Sequence, residues 1–251
     1  MRRAGELGEH ELRTQHLSRA IAARRPRPGP PTPCPYLPGR IARHVTVLPS
    51  PATPGVYHSL MDLNFRRSGP VFYRPTCHSC AECRMLRVRV AEFRPSRAQR
   101  RCWRRNADAD VSIEPARPSA EGLALYRRYL AARHDGQMDG SFEEYRSFLY
   151  ASPVRTEHLV YRLAGKLVAV GVVDVEPEAL SAVYCFFDPD VGRRSLGVYN
   201  VLRSLEECRR RGLRYLYLGF HVDGCRRMSY KSGYRPCERL EADGRWVQLA
   251  G

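Results

Sequence analysis

The sequence contains no apolar run long enough to cross a membrane. No stretch approaches the roughly 20 apolar residues that a spanning helix needs, and the N-terminal residues lack the apolar segment of a secretory signal. Residues 34–251 contain no internal repeat, which excludes a solenoid. Because 43% of the residues are hydrophobic, we expect an ordinary core. These features predict a cytoplasmic globular protein without a membrane partner.

Lysine is nearly absent, since Lys166 and Lys231 are the only lysines among 42 lysines and arginines. Genome composition alone can favour arginine over lysine in this way, so the number of arginines carries little weight by itself. The formal charge of +16 and the pI near 9.9 nevertheless indicate a polyanionic partner, because basic surfaces gain affinity by releasing counterions from phosphates. RNA is the leading candidate.

The N-terminal segment differs in composition from the rest of the chain. Residues 1–31 carry seven arginines against three glutamates and end in the proline-rich run RRPRPGPP. Such a composition is typical of an unfolded extension with a stiff linker. We therefore predict a disordered basic extension over residues 1–31.

Two domains are predicted after this extension, and the fold class is α+β. Residues 32–110 alternate turn signals with short extended runs, which predicts a small sheet domain that carries a cysteine cluster. A basic helix begins near Pro95 and Ser96. Residues 119–248 contain two helices, a three-stranded meander, a glycine turn leading into a helix, and the apolar strand LRYLYLGF. This is the element order of the GNAT acyltransferase fold.

The cysteines favour a metal site over disulfides. Nine cysteines in a cytoplasmic protein are expected to be reduced. Cys77, Cys80 and Cys83 have CxxCxxC spacing, and Cys34 is a candidate fourth ligand for a zinc ion or an iron–sulfur cluster. The alternative is a set of buried thiols that act as small hydrophobic residues. Covalent catalysis by a cysteine beside a histidine, as in the Cys77–His78 and Cys225–His221 pairs, is a further alternative.

Three short motifs have the composition of anion-binding sites. In RRSLGVYN, Arg194 and Gly197 fit a turn that cradles a pyrophosphate at a helix N-terminus. The ring of Tyr199 should crowd a pyrophosphate there, so standard coenzyme A binding is in doubt. The paired arginines of FRRSG suit a carboxylate or a phosphate, and Lys231 in SYKSGYRP suits the same anions. Each motif taken alone is also explained by a solvated surface or a simple helix start.

The motifs together resemble a known family. CPYLPGR, LMDLNFRRSGPVFYRPTCHSC, FRPSRAQRR, LYRRYLAARHDGQM, LSAVYCFFDPD, RSLGVYNVL, YLYLGF and MSYKSGYRP occur in the order found in the bacterial branch of the arginyl/leucyl-tRNA–protein transferases. The resemblance implies transfer of leucine from Leu-tRNA to the N-terminal amine of proteins that begin with Asp or Glu, which marks them for N-degron degradation. It implies no need for ATP or coenzyme A, because the ester is already activated.

The resemblance also implies roles for individual residues. Those implied for reading the acidic N-terminus are Arg66, Arg67, Ser68 and Tyr73. Those implied for catalysis are His134, Tyr230 and Lys231, although His134 has an equal alternative as a structural histidine. Those implied for aminoacyl-tRNA binding are Arg97, Arg100, Arg101, Arg194, Ser195, Leu196, Gly197 and Arg235. Those implied for a regulatory metal or iron–sulfur cluster, which transfer itself does not need, are Cys34, Cys77, Cys80 and Cys83.

Three other functions stay open at this point. An arginine donor would keep the mechanism but would need a carboxylate-lined pocket, whereas a leucine donor needs an apolar one. A non-catalytic, metal-bearing RNA-binding module would account for the charge and the cysteines. An ordinary acetyl-CoA enzyme would account for the second domain.

Overall fold

The structure is a computed structural model, and it describes residues 8–47, 53–133 and 140–249. The helices are α1 (Glu9–Arg24), α2 (Val56–Asp62), α3 (Arg97–Arg105), α4 (Ala120–Arg133), α5 (Phe142–Leu149) and α6 (Leu196–Arg210). The strands of the first half are β1 (Thr32–Pro33), β2 (Ile41–Ala42), β3 (His44–Val47), β4 (Arg66–Ser68), β5 (Val71–Pro75), β6 (Arg84–Arg89) and β7 (Asp110–Pro115). Those of the second half are β8 (Thr156–Leu163), β9 (Lys166–Glu176), β10 (Ala179–Phe187), β11 (Tyr215–His221), β12 (Cys237–Leu240) and β13 (Trp246–Gln248).

An eight-stranded sheet forms the centre of the molecule, in the order β13-β12-β6-β11-β10-β9-β8-β7. All neighbouring strands are antiparallel except β10 and β11, which are parallel. The predicted meander and the predicted central strand are both present as β8 to β10 and β11. The mixed α+β class is therefore confirmed, and the elements from α4 to β11 follow the predicted order.

The helices cover both faces of this sheet. Leu159 and Tyr161 of β8 belong to the apolar cluster that includes α6, whereas Val160 between them belongs to the cluster that includes α4 and α5. Because successive residues of a strand point to opposite faces, the two clusters lie on opposite sides of the sheet. No helix within the described ranges is long and apolar enough to span a membrane.

The small sheet predicted near the N-terminus is present, but residues 32–110 also contribute strands to the central eight-stranded sheet. Strands β3, β5 and β4 form a three-stranded antiparallel sheet. Strand β6, from the same predicted domain, pairs with β11 and β12, and β7 pairs with β8 at the sheet edge. The segments predicted as two domains therefore share one sheet, with β7 unrecognised as a strand from the sequence.

The prediction of disorder over residues 1–31 is wrong for helix α1. Its first turn is held by Glu11, whose carboxylate accepts from the backbone N–H of Gly8 at 2.8 Å, and Glu9 and Arg13 form an ion pair within the helix. His10 of α1 contacts Asp62 of α2 at 2.8 Å. The helix thus docks through polar contacts and through Ile21, which packs against the apolar cluster that includes α2. None of its residues is fully buried, which is why apolar periodicity did not reveal it.

Helix α3 begins where the sequence predicted. Ser96 Oγ accepts from the backbone N–H of Gln99 at 3.2 Å, and Gln99 Oε1 accepts from the backbone N–H of Ser96 at 2.8 Å. This reciprocal capping box satisfies two N–H groups that a helix start otherwise leaves unpaired. The helix thereby holds its arginines on the outside of the molecule, where Arg97, Arg100 and Arg101 are exposed.

Candidate functional site

A cleft opens where the two parallel strands separate. Strands β10 and β11 pair only over Ala179–Ser181 and Tyr215–Tyr217. Beyond this point a cavity of about 670 Å³ lies between them, bounded by β4, α4 and the 3-10 helix Ser229–Gly233. The residues with polar or ionisable side chains that line it are Tyr36, Arg66, Arg67, Ser68, Tyr73, Tyr129, Tyr184, Cys185, Asn200, Arg227, Tyr230 and Lys231.

Arg66 presents its guanidinium to this cavity. Its Nη2 donates to the carbonyl of Val183 at 2.9 Å. The guanidinium lies against Gly219, where an added Cβ atom would come within 2.8 Å of Arg66 Cζ. Gly219 also has a φ of +73° at a register shift in β11, so only glycine fits both the backbone and the close approach. The planar fork of Arg66 keeps donors that suit a carboxylate.

Arg67, in contrast, is occupied inside the protein. Its Nε and Nη2 donate to Asp174 Oδ2 and Oδ1 at 2.7 and 3.0 Å, and its Nη1 donates to Gly69 O at 3.0 Å. The side chains of Arg67 and Asp174 are both completely buried. The implied role of Arg67 in reading a substrate is therefore wrong, because a bidentate internal carboxylate already takes its fork.

Lys231 is buried at the floor of the cavity. Its Nζ donates to Phe220 O at 2.7 Å, and the residue is 4% exposed. Burial, and next the positive charge of Arg66, lower the pKa of Lys231 well below its ordinary value. Both effects disfavour the ammonium form, so Lys231 can act as a proton acceptor at lower pH than a surface lysine.

Tyr230, Tyr73 and Ser68, to which the resemblance assigned roles, also line the cavity. Tyr230 is 52% exposed at the rim, and the ring of Tyr73 meets Phe220 edge-on with centroids 5.8 Å apart. His134 lies outside the described residues. Arg235 lies close by in sequence, but it is not among the residues that line the cavity.

The cavity walls are apolar and aromatic, and no Asp or Glu from the described ranges lines them. The apolar and aromatic residues of the walls are Tyr129, Phe148, Ala182, Val183, Tyr184, Phe187, Val198, Val201, Leu218 and Met228. A pocket of this kind binds an aliphatic side chain by burial of apolar area. It contains no described carboxylate that would pair with a guanidinium.

Asn200 is a buried amide of the cavity lining that the sequence reasoning missed, as it also missed Tyr36, Tyr129, Tyr184, Cys185 and Arg227. Asn200 is 3% exposed, and its Oδ1 accepts from the hydroxyl of Tyr161 at 2.9 Å. Gly171 leaves the space for it, since a Cβ atom there would lie 1.9 Å from Asn200 Oδ1. The signal in the sequence was one amide on the apolar face of helix α6.

The RSLG turn contributes less to the cavity than expected. Gly197 lines it, but Leu196 is buried in the core. Arg194 is turned away and pairs with Asp108, with Nη1–Oδ1 and Nη2–Oδ2 distances of 2.7 and 2.9 Å. Ser195 has left-handed backbone angles and makes no side-chain cap. Of the four residues, only Gly197 reaches the cavity.

The expected crowding by Tyr199 is also absent. Tyr199 is 3% exposed, and its ring packs in the core against Trp103 and Tyr161, with centroids 5.5 and 5.7 Å away. The prediction that this ring obstructs a pyrophosphate is therefore wrong, because helix α6 turns the side chain towards the sheet.

The four N-terminal cysteines line a second cavity, of about 490 Å³. Burial and the neighbouring thiols of Cys34, Cys77 and Cys80 raise the pKa of Cys83 to about 12. A tetrahedral zinc ion with Zn–S bonds of about 2.3 Å brings its sulfurs to about 3.8 Å. Within the described part of the chain, no three cysteine sulfurs lie within 4.8 Å of one another, since the group of three ligand atoms that does so contains only histidine and aspartate. The thiols thus share a cavity, but they are not arranged as a closed zinc site.

Neither cysteine–histidine pair considered from the sequence is a catalytic pair in the structure. No hydrogen bond joins Cys77 to His78 or Cys225 to His221 among the described residues, and Cys225 is buried. The covalent alternative therefore has no geometric support.

The two cavities are adjacent, because Pro35 and Tyr36 line both.

Several solved structures are similar in backbone. The FemX crystal structure has a TM-score of 0.48 and 7% identity, covering 76% of this chain and 68% of that one. The C-terminal domain of a putative lysylphosphatidylglycerol synthetase from Agrobacterium fabrum has a TM-score of 0.45 and 14% identity, with coverages of 78% and 63%. L-PGS from Bacillus licheniformis has a TM-score of 0.44 and 15% identity, with coverages of 76% and 62%.

Two family models match the sequence, described as the N terminus and the C terminus of arginine-tRNA-protein transferase, over residues 32–101 and 121–241. An aspartate/glutamate leucyltransferase of Chromobacterium violaceum is 46% identical over 222 residues, which cover 87% of this chain and 91% of that protein. The enzyme of the same name from Hahella chejuensis is 41% identical over 223 residues, with coverages of 88% and 95%. The chain therefore belongs to the family of aminoacyl-tRNA–protein transferases.

Proposed function

We propose that the protein transfers leucine from Leu-tRNA to the α-amine of proteins that begin with Asp or Glu. The single observation that carries this proposal is the composition of the cavity between β10 and β11. It combines a cationic fork at Arg66 with apolar walls that contain no described carboxylate. A carboxylate-bearing acceptor and an aliphatic donor match these two parts.

The acceptor side of the proposal rests on Arg66. A carboxylate of an N-terminal Asp or Glu can pair with its planar fork, and such charge-assisted pairs are the strongest hydrogen bonds available to it. The second arginine of the motif takes no part, because Asp174 binds it. Arg66 therefore selects the acceptor, with Tyr73 and Ser68 beside it in the wall.

The donor side rests on the apolar walls. A leucyl side chain gains about 0.8 kcal/mol for each CH₂ that it buries. An arginyl side chain would bring a charge into a wall whose described residues offer no partner, and burying an unpaired charge is costly. This favours leucine over arginine as the donor.

Lys231 is the proposed proton carrier of the reaction. The α-ammonium of the acceptor gives a proton to the neutral Lys231 amine, and the freed amine attacks the ester carbonyl. The attacking nitrogen loses a second proton to solvent water, the tetrahedral oxyanion collapses to the peptide bond, and the tRNA ribose oxygen leaves with the proton from Lys231. The side-chain amide of Asn200 lies in the same wall and can donate to the oxyanion.

The exposed arginines of helix α3 are the proposed tRNA surface. Many arginines elsewhere are paired with Asp or Glu. The arginines of α3 form no ion pair with any described residue; they are Arg97, Arg100, Arg101, Arg104 and Arg105. Unpaired arginines release counterions when they meet phosphates. Because charged tRNA is a cytoplasmic substrate, the proposal assigns the protein to the cytoplasm and to the N-degron pathway.

We further propose that Cys34, Cys77, Cys80 and Cys83 hold a metal ion or an iron–sulfur cluster that transfer does not need. Their shared cavity supports a common ligand. Because a cluster places iron atoms between its thiolates, it suits sulfurs that lie further apart than a single zinc ion allows.

The test is transfer of labelled leucine, and separately of labelled arginine, from charged tRNA to a peptide that begins with Asp. We expect leucine transfer that is absent with a peptide beginning with Ala. Arginine transfer in place of leucine would overturn the donor assignment, and no transfer with either would overturn the reaction.

A further inference from the structure

A polar cluster between helices α1 and α2 lies outside the cavity described above. His10 of α1 approaches Asp62 of α2, with 2.8 Å between Nε2 and Oδ2. The rings of His10 and His58 stack with centroids 4.0 Å apart. One nitrogen from each histidine and one Asp62 oxygen lie within 4.8 Å of one another. Three atoms of the kinds that zinc-class metals prefer therefore lie close together.

A second observation is that one buried nitrogen of this cluster has no hydrogen-bond partner among the described residues. His58 is 2% exposed, and its buried Nε2 makes no hydrogen bond. An unpaired buried polar atom costs about 1–3 kcal/mol. The unpaired Nε2 is therefore free of any described protein partner that would compete with a metal.

The surroundings of the cluster resemble the outer shell of a metal site. Asp62 Oδ1 accepts from Tyr217 at 2.6 Å and from Arg87 at 3.3 Å, which leaves Oδ2 towards His10. The other nitrogen of His10 lies 3.5 Å from Ser59 Oγ. Outer partners of this kind hold carboxylate and imidazole ligands in orientation.

We propose that His10, His58 and Asp62 bind a divalent metal ion of the zinc class, which clamps helix α1 onto helix α2. The ion takes the place of the proton between His10 and Asp62. Two imidazoles and one carboxylate leave a fourth position for water and exclude magnesium and calcium as preferred ions. The clamp strengthens the docking of a helix that has no fully buried residue and is otherwise held by the His10–Asp62 contact and by Ile21. Helix α1 also lies outside the residues that the two family models match, which are 32–101 and 121–241.

The test is a cobalt titration, followed by absorption, of the full chain carrying Cys77→Ser and Cys80→Ser, which remove two of the thiols that would compete for cobalt. We expect visible d–d bands from one site without the thiolate-to-cobalt charge transfer that the cysteines would give. His10→Ala should weaken binding at this site by more than about tenfold, because loss of even an outer partner typically costs about 10- to 100-fold. His16→Ala is the matched control, since His16 is exposed on the same helix.

A second readout is hydrogen exchange of the α1 amides with and without Zn²⁺. We expect Zn²⁺ to slow exchange in the wild type and in His16→Ala but not in His10→Ala, with all three proteins giving the same circular dichroism. Equal cobalt binding by His10→Ala and His16→Ala would overturn the proposal. Cobalt bands that always carry the thiolate transition would overturn it as well.

Discussion

Arg66 and Arg67 are neighbours in strand β4, yet their guanidinium groups have opposite surroundings. Arg66 reaches the cavity between β10 and β11, where Val183 O accepts one of its N–H groups. Arg67 is completely buried against Asp174. This follows from the alternation of side chains along a strand, and it separates the arginine that we propose reads the substrate from one that is bound inside the protein.

Substitution should separate the two roles. Arg67→Ala leaves Asp174 buried without its partner, and we expect a loss of about 3–5 kcal/mol in the free energy of unfolding. Arg66→Ala should unfold at nearly the wild-type denaturant concentration but lose more than about 100-fold in kcat/KM for an Asp-initiated peptide. Urea denaturation and steady-state kinetics measure the two effects. Equal destabilisation by both variants would contradict the assignment.

Lys231 should make stability depend on pH. Its lowered pKa means that the folded state binds fewer protons than the unfolded state, so the free energy of unfolding rises with pH up to the unfolded pKa near 10.4. Lys231→Met removes this dependence. The free energy of unfolding of the variant, relative to that of the wild type, should therefore decrease as the pH rises from about 7 to about 10. Urea denaturation at several pH values measures it, and a constant difference would contradict the lowered pKa.

Lys231→Met should also slow the chemical step. Loss of the proton acceptor typically costs about 10²- to 10⁴-fold in rate, whereas binding of Leu-tRNA should be unchanged. Single-turnover transfer at saturating tRNA separates the two. A variant with wild-type kcat would show that Lys231 takes no part in proton transfer.

Helix α3 should set the salt dependence of tRNA binding. Each phosphate contact contributes about one to the slope of log K against log salt, so Arg100→Ala with Arg104→Ala should lower the slope by about two. Arg146→Ala is the control, because Arg146 is already paired with Glu143. Equal slopes for the double variant and the wild type would exclude α3 from the tRNA surface.

Removal of the cysteine-bound cofactor should leave the chemistry intact. Cys77→Ser with Cys80→Ser deletes two of the four thiols that line the second cavity. We expect the metal held by these thiols to be lost, so that elemental analysis gives a lower metal content than in the wild type, while the single-turnover rate stays at the wild-type value, because no proposed step uses the cofactor. A large fall in that rate would make the cofactor part of catalysis.

The sequence predicted most of the regular elements because their apolar periodicity is strong. The meander, α4 and α6 follow from it, whereas β11 follows from a continuous apolar run and α3 from its start at Pro95 and Ser96. Helix α1 escaped detection, since its docking depends on His10 and other polar contacts that have no periodic signature. Strand β7 lies at the sheet edge, where half-exposed residues give a weak alternation.

Site residues were harder to predict than elements, because the sequence does not tell which face of an element meets the core. Alternation separates Arg66 from Arg67, but only the position of Asp174, more than one hundred residues later, decides which one is internal. The same applies to Tyr199 and Asn200 on α6, which meet the core and the cavity respectively.

The most direct test of the central claim compares leucine transfer to two peptides that begin with Asp and with Asn and are otherwise identical. Asn has the shape of Asp without the charge, so it cannot pair with Arg66. We predict at least about 100-fold higher kcat/KM for the Asp peptide, and loss of this preference in Arg66→Ala. Equal transfer to both peptides by the wild-type protein would contradict the account.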